Sequence, residues 1–96
     1  MEIQFTTQIF KEGRSFVAHT PELDVSSCGG TKERALKNLK QAVALFLQEA
    51  ERMGTLGQIL EEAGYLKRGG RLKGPRFVTT RRVSLPLPAP AVDAKA

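Results

Sequence analysis

Residues 25–50 read VSSCGGTKERALKNLKQAVALFLQEA, and this stretch changes its backbone period halfway along, which decides the fold. Val25 to Cys28 is short and extended. Gly29 and Gly30 follow, residues that let a chain turn sharply because they carry no Cβ. Thr31 is a good N-cap, its hydroxyl able to accept from a free N–H of the first turn, and Glu33 suits the positive end of the helix dipole. Beyond it Leu36, Leu39, Val43, Phe46 and Ala50 recur at three- and four-residue steps, with Ala35, Ala42 and Leu47 widening the stripe. The segment predicts a strand, a tight joint and a long amphipathic helix ending near Met53-Gly54.

Upstream, residues 2–10 (EIQFTTQIF) alternate, with Ile3, Phe5, Thr7 and Ile9 on one side and polar residues on the other. Period two marks a half-buried strand. Lys11 to Arg14 supplies a glycine-containing reversal, and Ser15 to His19 is a second strand, so the two predict an antiparallel hairpin. Pro21 stops the second strand because it has no N–H to donate. Glu22-Leu23-Asp24 then bridges to the strand at Val25.

Downstream, Leu56 to Ala63 predicts a shorter helix closed by Gly64. Residues 67–76 (KRGGRLKGPR) read as a mobile basic linker, and Phe77 to Leu85 (FVTTRRVSL) as a fourth strand. Leu85 to Pro90 is polyproline-like, and the last residues are expected to fray. The fold class is therefore α+β, in the order β-β-β-α-(α)-β, with a small, mainly antiparallel sheet under one long helix. Its parts are a core over 1–66, a linker over 67–76, a strand and Pro-rich segment over 77–88, and a disordered tail over 89–96.

Ninety-six residues make one small domain. A single cysteine, Cys28, excludes an internal disulfide, and with His19 standing alone no zinc-ligand spacing exists, so no metal or cofactor is expected. The N-terminus has neither a basic n-region nor a long apolar run, and no segment approaches the ~20 apolar residues of a membrane span. A cytoplasmic address is the expectation.

Charge is distributed unevenly. Residues 1–66 carry seven Lys/Arg against nine acids, a net of −2, whereas residues 67–96 carry eight basic residues and only Asp93, a net of +7. The high pI belongs to the final third; the body is mildly acidic. Lys67, Arg68, Arg71, Lys73, Arg76, Arg81 and Arg82 stand together with no acid among them, the footprint of a nucleic-acid-binding arm, of a solubilising one, or of one that covers an acidic surface of a partner subunit.

Three catalytic readings of the chain are poorly supported. Gly29-Gly30-Thr31-Lys32 lacks the upstream glycine and the Lys-then-Ser/Thr order of a phosphate loop. Cys28 precedes a helix N-terminus, which favours a thiolate, but the only histidine, His19, lies on another strand. A magnesium site needs several acids converging, and nothing in the sequence brings Glu22/Asp24 together with Glu61/Glu62, which read most simply as an exposed helical face. No enzyme is expected.

Taken in order, Phe16-Val17-Ala18, Pro21-Glu22-Leu23, Gly29-Gly30-Thr31 and Arg34-Ala35-Leu36-Lys37-Asn38 with Ala42 resemble the HicB-like antitoxin family over residues 1–66. One departure is that Asp24 leads directly to Val25, where that family often has a glycine. The resemblance implies a partial RNase H-like fold, with three antiparallel strands, a helix and a further strand along the first. It implies a non-catalytic role in a toxin–antitoxin system, binding and masking a small basic HicA-type RNA-cleaving toxin. Residues 67–96 are too rich in glycine and proline for a helix-turn-helix domain. The acidic body suits a basic partner, with Glu22, Asp24, Glu61 and Glu62 as candidate contacts. A small sheet with an open edge further predicts a homodimer or higher homo-oligomer, residues 77–88 adding to their own sheet or a neighbour's.

Overall fold

The structure, a computed structural model, is described over residues 1–88; the tail assigned to 89–96 lies outside the described residues. It is an α+β fold. The first extended run is divided into β1 (Glu2–Gln4) and β2 (Gln8–Glu12), followed by β3 (Ser15–Thr20) and β4 (Val25–Gly29). Two helices come next, α1 (Lys32–Arg52) and α2 (Leu56–Glu62), then β5 (Leu66–Arg68) and β6 (Arg71–Lys73). β2, β3 and β4 form one antiparallel sheet, and a second has the order β1-β6-β5, with β6 parallel to β1.

Strand alternation assigns the faces. Ala18 and Thr20 on β3 are fully buried and lie beneath α1, so Ile9, Phe16, Val25 and Ser27, in register or in step with them, share that side. Phe10, Val17 and Cys28 line up across the opposite, uncovered face. α1 packs chiefly over β3 and β4, inserting Ala35, Leu39, Val43 and Ala50. Leu39 and Val43 are almost wholly shielded, which stabilises the fold by about 1.5–3 kcal/mol for each such side chain. Tyr65 completes the core, with Ile3 and Leu72 packed against it from the second sheet.

The joint at Gly29 works by close approach. Neither Gly29 nor Gly30 adopts positive φ. A Cβ at Gly29 would instead stand 2.7 Å from the Ala35 nitrogen and 2.9 Å from the Arg34 carbonyl carbon, whereas one at Gly30 would meet nothing. The missing side chain lets α1 begin directly against β4. Thr31 caps the helix, its Oγ1 accepting from the Arg34 N–H at 3.0 Å, and the Asn38 amide donates to the Cys28 carbonyl at 2.7 Å.

Two expectations for the C-terminal third are overturned. Residues 67–76 are not a linker, because Leu66–Arg68 and Arg71–Lys73 pair as a hairpin across Gly69-Gly70. Gly69 takes φ +62° at the first loop position, a conformation that favours glycine. The strand that lies along β1 is β6, and Phe77 to Leu85 forms none within the chain. Pro75 interrupts the run after β6, and the residues beyond it lie exposed, with Val78, Val83 and Leu85 about four-fifths accessible.

These contacts rank three neighbouring substitutions. Gly29→Ala should destabilise by ~1–3 kcal/mol through overpacking, Thr31→Ala by about 1 kcal/mol through the lost cap, and Gly30→Ala hardly at all. Urea unfolding followed by helix circular dichroism measures all three; equal losses at Gly29 and Gly30 would contradict the close-approach account.

Candidate functional site

The densest polar arrangement lies where the first run breaks. Thr6, between β1 and β2, has no strand partner for its N–H, and both Glu22 oxygens accept from it, at 3.0 and 2.9 Å. The Thr6 hydroxyl donates to Glu22 at 2.8 Å and the buried Thr20 hydroxyl at 3.1 Å. Partial burial disfavours the charged Glu22, but these donors outweigh it, together with the residue's own backbone N–H, and hold the carboxyl below the usual glutamate range. The Pro21-Glu22-Leu23 turn thus aims one acid inward. Its chemistry is that of a staple: both carboxylate oxygens already accept hydrogen bonds from donors of this chain.

Tyr65 stands beside this staple. Its hydroxyl donates to the Gln4 carbonyl at 2.7 Å, joining the start of β5 to β1. Burial, and behind it the negative charge of Glu22, push the phenol up to about 12. Sequence reading passed over Tyr65 because a lone aromatic between Gly64 and a basic run belongs to no periodic pattern. Gly74 completes the enclosure: a Cβ there would come within 3.2 Å of Glu22 Cγ and 3.3 Å of Tyr65 Cζ.

The other expected acids lie apart from this arrangement. Asp24 is exposed and receives a 3.0 Å hydrogen bond from His19 Nε2. It adopts φ 54°, left-handed backbone that aspartate tolerates better than most residues and glycine better still. Glu61 and Glu62 are exposed on α2, and Glu62 accepts from Gln58 at 3.0 Å. Glu22 is therefore withdrawn as a partner contact, while Asp24, Glu61 and Glu62 remain on the surface. Among the described residues, no three of His, Cys, Asp and Glu gather as a metal would require, and no helix is long and apolar enough to cross a membrane. Cys28 is exposed on the face away from α1.

The basic residues are brought together in part. In the hairpin, Arg68 opposes Arg71 and Leu66 opposes Lys73, so Arg68, Arg71 and Lys73 share one exposed face. Leu72, turned the other way, packs on the core. Arg71 also lies 3.6 Å from Glu2 on β1. Lys67 projects on the side of Leu72, and Arg76, Arg81 and Arg82 follow in the exposed segment. Matched against protein-family models, curated proteins and solved structures, the chain finds no counterpart.

Two titrations read this arrangement. The chain has one tyrosine and no tryptophan, so tyrosinate absorbance reports Tyr65 alone. Its midpoint should fall near 12 in the native protein and near ~10 in denaturant; a native midpoint at the denatured value would show the hydroxyl to be free. Because the folded pKa is raised, that stabilisation is full below the unfolded value and lost as pH climbs through the folded one. Glu22 runs the opposite way. Its lowered pKa gives stability present above the ordinary value of 4.5 and lost as pH falls below it. Glu22→Gln should lower stability at neutral pH and flatten this acid-side dependence, measured by urea unfolding across the pH range.

Proposed function

We propose that the chain is a non-catalytic HicB-like antitoxin or interaction module that binds and masks a small basic RNA-cleaving protein of the HicA type. One observation carries the reading: the residues behind the resemblance sit at the joints of a single architecture. Ala18 and Ala35 meet in the core, Glu22 staples the broken first run, Gly29 admits the helix and Asn38 ties it to β4. β6 running along β1 supports the partial RNase H-like order that the resemblance implies, with Arg71–Lys73 filling the place first given to Phe77 to Leu85. Partner recognition falls to the acids left on the surface, Asp24 on the β3–β4 turn and Glu61 and Glu62 on α2.

The expected result is tight, salt-sensitive binding to a HicA-type protein and suppression of its RNA cleavage. Glu61→Lys with Glu62→Lys should weaken binding about tenfold or more, leaving the fold intact because both side chains are exposed. Absence of binding to such a protein encoded beside this chain would refute the reading.

A second reading, nucleic-acid binding through residues 67–82, is favoured by the hairpin face that gathers Arg68, Arg71 and Lys73. It requires steeply salt-dependent oligonucleotide binding that disappears when Arg68, Arg71, Arg76, Arg81 and Arg82 are neutralised. Salt-independent or absent binding in an electrophoretic shift assay excludes it.

A further inference from the structure

We propose that the open edge of β2 is a docking site for the Phe77–Leu85 segment of a second copy of this chain, so that two copies exchange strands reciprocally. This goes beyond partner masking and does not depend on it. β2 pairs only with β3, so its outer row of backbone groups is unpaired. The strand exposes both Ile9 and Phe10 there, an edge that invites another strand.

The remaining edges are less receptive, that of β1 because the strand is only three residues long. On β4, the Cys28 carbonyl is already occupied by Asn38. β5 carries Lys67 and Arg68, which repel Arg81 and Arg82. Antiparallel pairing of two such segments centred on Arg81 would set that residue against its own copy, and like charges directly opposite are destabilising.

The segment is built as a strand that lacks a partner. Phe77, Val78, Val83, Leu85 and Leu87 are all more than half exposed, and Pro86 ends the pairable run. A parallel register that sets Phe77 of one copy at Gln8 of the other places Val78 at Ile9 and Arg81 at Glu12, an apolar pair and an ion pair.

Within one chain this pairing is not made, although Phe77 and Gln8 line the same groove. Its root is pinned. A Cβ at Gly74 would crowd Glu22 and Tyr65, and one at Gly64 would come 3.0 Å from the Pro75 ring. That packing holds the root of the segment against the staple, and residues 78–88 beyond it lie exposed without a strand partner. A second copy receives the segment without remaking that joint, and a two-fold arrangement satisfies both edges at once.

The test uses the full chain. Sedimentation equilibrium at micromolar concentration should show a dimer, and Val78→Pro with Val83→Pro should raise its dissociation constant about tenfold or more. The helix signal should persist, because both positions lie outside the folded core. Hydrogen exchange should show the amides of residues 8–12 and 78–85 protected together, and losing protection on dilution. A monomer at all concentrations overturns the proposal, as does a dimer indifferent to the two prolines. Protection that survives dilution to monomer also overturns it, by showing that the segment closes on its own edge. Toxin binding enters none of these readouts.

Discussion

The grip of Glu22 on Thr6 is the contact on which the rest of the structure depends. A single extended run serves two sheets, β1 pairing with β6 and β2 with β3. Between them the backbone must leave one ladder before it joins the next, and the N–H of Thr6 would otherwise be stranded in a partly buried place. An unpaired buried donor costs on the order of 1–3 kcal/mol. A bidentate carboxylate, placed by Pro21 at the end of β3, removes that cost and also satisfies the buried Thr20 hydroxyl. Among the described residues, no buried side-chain nitrogen or oxygen lacks a partner.

From that point the second sheet follows. With the run bent at Thr6, β1 is free to meet a strand arriving from the far end of the chain, and Tyr65 secures the meeting through the Gln4 carbonyl, 61 residues away. Burial first, and the negative charge of Glu22 second, raise the phenol's pKa, so its hydroxyl goes on donating to Gln4 at a pH where an exposed tyrosine would ionise. Packing of Gly74 on the same pair then directs the chain beyond β6. A local backbone break thus fixes both the position of the hairpin and the exit of the C-terminal segment.

The parts legible in the sequence were those governed by a repeating period or by one residue's own chemistry. α1 declared itself through its apolar stripe and Thr31 through its hydroxyl; β3 and β4 were framed by Gly13, Pro21 and Gly29. The break at Thr6 was not legible, because Glu2 to Phe10 alternates without interruption and the acceptor that ends the ladder lies sixteen residues on. The hairpin was missed for a different reason. Strands of three residues are too short to show a period, and the five basic residues within 67–76 drew attention to charge when Gly69-Gly70 was the signal. Glu22 was read as a surface acid since sequence gives composition but not direction; only the positions of Thr6 and Thr20 turn it inward.

This division of labour bears on where function resides. The residues that most resemble a known family are consumed in making joints: Glu22 is saturated, Gly29 has no side chain, and Ala35 is buried. They specify an architecture and contribute little surface. The groups free to meet other molecules are those the joints leave outside. On one element this is the acidic pair Glu61 and Glu62, and on another the basic face of Arg68, Arg71 and Lys73. Charges of opposite sign carried on separate elements of so small a domain can engage two partners of opposite charge, or steer one partner's orientation. Such surfaces can change by substitution without disturbing the staple.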